Sequence, residues 1–257
     1  MKKRPKVQVL VASMNQTDHS LLEKMNISTS AIVGNQCNYD SVERFEWNGN
    51  ECLYLNFNER GVGLNRNNSL MRATGDICLF ADDDMVFVDD YETIVINEFE
   101  KLPDADLIIF NILEVPPVRS VTRSTVRINR FNYLKYGTAR FAIKTESIKS
   151  NGIYFNQCFG GGTQHRHGED NLFLTDCLKK GLKIYAVSSY LAELVNDREP
   201  TWNREFDEKY FLDQGALYRA ISKRGWKLLC LQDAVRHSKK RYKQKWNEVY
   251  RLMVGRG

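Results

Sequence analysis

The sequence predicts an α/β protein built on a layered sheet that is parallel through at least its first half. Strand-like apolar runs alternate with stretches of helical character, the signature of strands joined by crossovers. Polar clusters at Ser13–Gln16, Asn35–Gln36 and Asp82–Asp84 each fall just past a strand end, which is where ligands lie in open α/β sheets. The length of 257 residues suffices for one large α/β domain or two small ones, and a composition of 42% apolar and 27% charged residues is that of a soluble globular chain.

Taken in order, Val7–Ser13 (VQVLVAS) reads as a buried strand and Ala31–Asn35 (AIVGN) as a second, with a polar, helix-compatible link between them. Cys52–Phe57 is a third, short strand. Gly61 and Gly63 open a helical stretch, LNRNNSLMRATG, with Leu64, Leu70, Met71 and Ala73 inward and Gly75 as its stop. Ile77–Ala81 is the fourth strand, Tyr91–Lys101 a helix ending before Pro103, and Asp106–Leu113 another strand. Beyond Val115 the pattern loosens into a basic, β-prone excursion, PPVRSVTRSTVRINR, before ARFAIKTESIK restores a strand and a short helix. A glycine-rich loop follows, then an acidic helix start at HGED, an amphipathic helix capped by Gly181, and a strand at Lys183–Val187. The remainder reads as two helices, Phe206–Lys223 and Ser238–Met253.

The net charge of +5 hides an asymmetry. Residues 1–6 contribute +4 and residues 236–257 contribute +7, which leaves the body at −6. No nucleic-acid-binding motif accompanies the basic charge, so a nucleic-acid partner is not expected. Basic ends suit an anionic surface instead, and Tyr242, Trp246, Val249 and Met253 recur at helical spacing between basic residues, as in an interfacial helix. The alternative is that this stripe packs on the body. The six cysteines form no CxxC pair and several lie in apolar runs, the pattern of reduced thiols in a cytoplasmic protein. The apolar run after Lys2–Arg4 is too short for a signal sequence, and no segment approaches the roughly 20 apolar residues of a membrane-spanning helix.

The stretch ICLFADDDMVF, Ile77–Phe87, poses the functional question. Three adjacent carboxylates at the end of a buried strand repel one another and are costly to desolvate, so a positive partner is required there. Mn²⁺ or Mg²⁺ held against a substrate diphosphate meets that requirement, because hard cations take oxygen ligands from one or two carboxylates and from phosphates.

The run GVGLNRNNSLMRATGDICLFADDDMVF resembles family-2 glycosyltransferases with the GT-A fold, in which an Arg-Asn pair opens a helix, Ala-x-Gly ends it and an apolar strand delivers a DxD motif. HGEDNLFLTDCLKKGLKIY looks like the Glu-Asp motif of that family, and PTWNREFDEKYFLDQGAL is similar to the Ser-Thr-Trp segment of bacterial members that build surface polysaccharides. The resemblance implies a three-layer α/β/α architecture around a central, mainly parallel mixed sheet. One such domain would occupy residues 1–235, with a donor half at 7–114 and an acceptor half at 115–235, followed by a basic amphipathic helix at 236–257.

It also implies an inverting, metal-dependent transfer of one sugar from a nucleotide-sugar donor to a glycan or lipid-linked acceptor, with UDP as the family's default. By resemblance Asp170 is the general base and Glu169 its neighbour, orienting it or binding acceptor. Asp84 and Asp82 are the metal candidates. Ser13, Asn15, Asn35, Arg66, Asp82 and Asp83 are the donor-binding candidates. Trp202, Gly161, Gly162 and His167 are placed with the acceptor, Trp202 to stack on a sugar ring and the others in a mobile loop hinged at Gly160–Gly162. A helix start lowers a carboxylate's pKa, so a base at Asp170 needs partial burial to offset it.

The chain departs from the family pattern in LVNDREPTW, which lacks the His that serves many relatives as a further metal ligand, so Asn196 or Asp197 would substitute. The Gln-x-x-Arg-Trp pattern of processive members is absent too, which points to transfer of a single sugar. Three other readings compete. The first is a haloacid-dehalogenase-like phosphatase with Asp82 as nucleophile and Asp84 as acid. The second is a GT-A subunit that binds without turnover. The third is zinc at His165 and His167, which lacks further ligands nearby in sequence.

Overall fold

The structure is a computed structural model that describes residues 4–114, 120–195 and 206–255. The chain opens with strand β1 (Val7–Met14), helix α1 (Ser20–Lys24), strands β2 (Ser30–Gln36), β3 (Ser41–Trp47) and β4 (Asn50–Phe57), and helix α2 (Val62–Arg72). Strands β5 (Ile77–Asp82) and β6 (Met85–Phe87), helix α3 (Tyr91–Lys101) and strands β7 (Leu107–Leu113) and β8 (Val126–Arg127) follow. The second part runs through strand β9 (Phe141–Lys144), helices α4 (Thr145–Ser150) and α5 (Glu169–Lys179), strand β10 (Ile184–Leu194), and helices α6 (Glu208–Ile221), α7 (Trp226–His237) and α8 (Trp246–Val254).

Among the described residues ten strands form one sheet in the order β3-β4-β2-β1-β5-β9-β7-β10-β6, with β8 on β10. The block β4-β2-β1-β5 is parallel throughout, and β7 runs parallel to β10. β9 enters antiparallel between β5 and β7. The expected mainly parallel mixed sheet is therefore present.

Alternate side chains of the central strands feed two cores, as strand geometry requires. Val7, Val9 and Val11 of β1 face α1 and α3, where Leu22, Tyr91 and Val95 close the layer. Leu10, Ile32, Leu55 and Phe80 face α2, α4 and α5, where Leu70, Ile148 and Phe173 pack. Because both faces are covered, β1 and β2 are buried almost end to end. A third cluster lies within α6–α8, and Phe159, Leu172 and Leu217 tie it to α5.

Three features differ from the sequence reading. The edge strand β3 was not anticipated, although Asn48 and Gly49, at φ of 47° and 74°, form the two-residue turn that pairs Trp47 with Asn50. The triple aspartate is a tight turn from β5 into β6, which pairs with β10. The single helix expected over Ser238–Met253 is broken: α7 ends at His237, Ser238–Tyr242 forms a wider π turn, and Lys243 at φ 54° turns the chain before α8. Tyr242, Val249 and Met253 are buried against α6 and α7, so these three members of the stripe pack on the body, while Trp246 is exposed.

The packing of α8 on α6 depends on Gly215. A Cβ there would stand 1.7 Å from the Met253 carbonyl oxygen, far inside van der Waals contact. Gly215→Ala is therefore expected to destabilise the protein by about 1–3 kcal/mol through overpacking, read as a lower urea midpoint. An unchanged midpoint would mean that α8 does not sit against α6 at this distance.

Candidate active site

The parallel register places the polar strand ends in a row at the carboxyl edge of the sheet. Ala12 lies opposite Asp82, Ser13 opposite Asn35, and Asn35 opposite Asn56. Ser13 is buried and its hydroxyl donates to the Gly34 carbonyl at 3.1 Å. Asn15 is exposed at φ 53°, turning the chain just after β1. Asn35 is fully buried. Its oxygen accepts from the Gln16 amide at 2.9 Å, while its NH₂ donates to the Gln16 carbonyl at 2.9 Å and to Asn56 at 2.7 Å. The geometry makes Asn35 the fastener of this edge.

Arg66, which could have been a surface residue of α2, is instead buried with its side chain 6% exposed. One guanidinium nitrogen donates to Asp82 at 2.7 Å and the other to Glu169 at 3.0 Å. A single residue thus joins the aspartate turn after β5 to the head of α5. Burial disfavours the charge on Arg66, but the carboxylates of Asp82 and Glu169 outweigh it and hold the guanidinium protonated. Its neighbour Asn67 clamps the Phe155 backbone at both N–H and C=O, and the Phe155 ring lies 5.6 Å from the Arg66 guanidinium.

Asp170 stands beside this pair. Burial, with the charge of Glu169 next to it, pushes its carboxyl from 3.8 to about 7. The Asn171 amide donates to it at 2.7 Å and opposes the shift. Glu169 is committed to Arg66, so Asp170 is the carboxyl suited to proton transfer near neutral pH.

Asp83 accepts from the Gln16 side chain at 3.3 Å, and Asp84 lies exposed on the turn while its carbonyl accepts from Val195 at 2.9 Å. Among the described residues no group of three His, Cys, Asp or Glu side chains is placed to hold a metal ion. His165 and His167 are bonded to Asp213 and Gln214 respectively, each at 2.9 Å. An oxygen-only turn nevertheless fits Mn²⁺ or Mg²⁺, which take few protein carboxylates and complete their shell with phosphate and water. Asp84, with Asp82 beside it, would hold such an ion. Trp202, Asn196 and Asp197 lie outside the described residues.

The glycine-rich loop is pinned at several points, which does not match a free hinge. Gly160 donates to the His165 carbonyl at 2.8 Å, the Thr163 hydroxyl donates to the Gly160 carbonyl at 2.8 Å, and Val62 at the head of α2 donates to the Gly161 carbonyl at 3.0 Å. Gly160 adopts φ 100°, and a Cβ there would meet Val62 and the Glu169 carboxylate within 2.8 Å. Gly162 also needs its positive φ of 79°. His167 lies against α6, bonded to Gln214 at 2.9 Å and stacked on Tyr210, and burial lowers its pKa.

Two members of the strand-end polar clusters that were given no role, Gln16 and Gln36, matter here, as does Asp213, which the sequence reading passed over. Gln16 holds both Asp83 and Asn35, Gln36 accepts from the Gly61 amide at 2.8 Å, and buried Asp213 binds His165 at 2.9 Å and the Arg166 amide at 3.1 Å. Gln16 and Gln36 stand just past strand ends, the one signal that marked them.

A sheet of this topology with its polar site at the carboxyl edge defines a GT-A-like α/β protein. Residues 37–161 match glycosyl transferase family 2. The chain is similar in fold to S. aureus TarS 1–349, with a TM-score of 0.60 at 15% identity over 96% of this chain and 90% of that one. TarS 1–349 in complex with UDP-GlcNAc gives 0.59 at 14% identity over 96% and 90%, and its complex with UDP gives 0.58 at 16% over 91% and 72%. No curated protein matches the chain. The fold is GT-A-like and residues 37–161 carry the match to glycosyl transferase family 2, which sets the phosphatase reading aside.

The shift at Asp170 has a testable sign. A carboxyl with a raised pKa keeps its proton in the folded state after the unfolded chain has lost it, so it costs stability as pH rises from about 4 to about 7. Asp170→Asn should therefore be more stable than the parent at about pH 8, and the gain should shrink toward about pH 4. Urea midpoints across that range measure it, and a pH-independent difference would show that Asp170 titrates as an ordinary carboxyl.

Proposed function

We propose that the protein is an inverting, metal-dependent glycosyltransferase that moves one sugar from a UDP-linked donor to a glycan acceptor in surface-polysaccharide synthesis. The observation that carries this reading is the bridge Asp82–Arg66–Glu169, which brings the donor-side carboxylates and the candidate base to one edge of the sheet. The fold neighbours crystallised with UDP and UDP-GlcNAc support the choice of donor.

In this mechanism Asp170 takes the proton of the acceptor hydroxyl. The hydroxyl oxygen attacks the anomeric carbon, a new C–O bond forms there, and the bond to the diphosphate breaks with its electron pair leaving on the UDP oxygen. The proton stays on Asp170. Glu169 is a positioning residue: its ion pair with Arg66 fixes the head of α5, and its charge raises the basicity of Asp170. A divalent ion on Asp84 and Asp82, when bound, supplies the charge neutralisation that the departing diphosphate needs. The requirement is electrostatic, since Arg66 is already shared by two carboxylates and a diphosphate approaching them meets repulsion.

A peripheral position on the cytoplasmic face of an anionic membrane also belongs to the proposal. No helix among the described residues is long and apolar enough to cross a membrane. Helix α7 exposes Leu228, Leu231 and Val235 along one face, with exposed Arg224, Lys227 and Arg236 beside them, a pairing that suits anionic headgroups. The protein should sediment with anionic vesicles, less so after Leu228→Ser with Val235→Ser, and not with neutral ones. Equal sedimentation with both kinds of vesicle would remove this part of the proposal.

Calorimetric titration of UDP and GDP tests the core reading. UDP should bind in the presence of Mn²⁺, and Asp84→Ala should abolish that binding. Asp170→Asn should bind UDP normally yet lose about 10²- to 10⁴-fold in transfer, and the parent kcat/KM should rise with pH through about 7, as the free base demands. Binding without any turnover across acceptors would favour a silent subunit, and no binding of either nucleotide would sink the donor site.

A further inference from the structure

A second cavity of about 700 Å³ opens beside the catalytic edge, between the glycine-rich loop and the outer face of α6. The loop supplies Phe159 and His165, stacked at 4.4 Å. Helix α6 and the head of α7 supply Arg219 and Trp226, with the guanidinium 4.2 Å from the indole centre. Lys223 completes the lining, and the small side chains of Ala216 and Ala220 leave the helix face between them open.

The chemistry of this lining is selective. It holds two permanent cations and no carboxylate, and among the described residues neither Arg219 nor Lys223 makes an ion pair. Guanidinium and ammonium groups together recognise phosphate, while flanking aromatic rings suit the apolar face of a sugar. The cavity is also coupled to the base. Phe159 packs on Leu172 of α5, two residues past Asp170, and the next residue, Gly160, abuts Glu169.

We propose that this cavity binds a phosphorylated sugar of the acceptor, with Arg219 and Lys223 on the phosphate and Trp226 against the sugar. The acceptor role rests on glycosyl transfer at the neighbouring edge, whereas the binding of a phosphorylated sugar does not.

The test is a tryptophan-fluorescence titration of the full chain with glucose 1-phosphate, glucose and inorganic phosphate, repeated for Arg219→Gln with Lys223→Gln. Glucose 1-phosphate should bind more tightly than either component. The double variant should weaken it by roughly tenfold or more while leaving Mn²⁺-dependent UDP binding unchanged, and saturating UDP should not displace it. Equal binding by the double variant, equal binding of glucose or of phosphate alone, or displacement by UDP would each overturn the assignment. Should UDP fail to bind while glucose 1-phosphate still does, the donor reading falls and the phosphorylated-sugar site stands. Titration with a polyprenyl-phosphate-linked sugar in micelles, against a soluble glycan phosphate, distinguishes a lipid-borne from a polymer-borne acceptor. Preference for either upholds the site, and binding of neither overturns it.

Discussion

The shared ion pair of Arg66 is the constraint on which the rest of the site depends. A buried guanidinium is costly to desolvate and stable only with well-placed partners, and here those partners lie 16 and 103 residues along the chain from Arg66. Asp82 ends β5 and Glu169 begins α5, so the pair fixes the distance between strand end and helix head. Helix α2 can deliver Arg66 to this point because it lies very close to the sheet. Gly34 of β2 makes room for Asn65, where a Cβ would stand 2.6 Å from its amide oxygen, and Gly63 makes room for the Asn156 carbonyl. Gly34 and Gly63 are thus explained by one requirement, which is that α2 approach closely enough to bury its arginine.

The glycine-rich loop transmits that placement to the C-terminal helices. It accepts the first amide of α2 through Gly161, touches Glu169 through Gly160, and meets α6 through the His165–Asp213 pair. Burial would raise the Asp213 carboxyl, but hydrogen bonds from Lys209 and His165 and the Arg166 amide outweigh it and keep its pKa low. An ionised, buried carboxylate with three partners is a rigid anchor, so the loop is a strut between the head of α5 and α6.

Much of this fold is legible in the sequence because its determinants are local. Apolar runs announce β1, β2, β5 and β7, and α3 spans the residues its periodicity and the following Pro103 mark out. The carboxylates of Asp82–Asp84 stand out because nothing in a buried strand end explains them. What was not legible depends on partners distant in sequence. Two-residue turns are short signals, and Asn48–Gly49 was overlooked although its chemistry is specific. The short strand β6 exists only because β10 reaches it, and no three-residue pattern announces that pairing. Arg66 is marked in the sequence as a donor-binding candidate, but its pairing with Asp82 and Glu169 is invisible until β5 and α5 converge on it. The break at Lys243 is equally silent, since a lysine at positive φ is selected by the packing of α8 on α6 and not by its own preference.

The charge balance at the sheet edge links binding to chemistry. Arg66 neutralises Asp82 and Glu169 only in part, and the excess negative charge, together with burial, is what holds the Asp170 proton to about pH 7. Any anion added to this edge strengthens that hold, and any cation weakens it. A donor diphosphate arriving alone would thus make Asp170 a base that keeps its proton, whereas the same diphosphate arriving with its counter-charge would leave Asp170 able to ionise. In the proposed mechanism, the state in which Asp170 can act as a base is therefore the state in which the leaving group's charge has already been met.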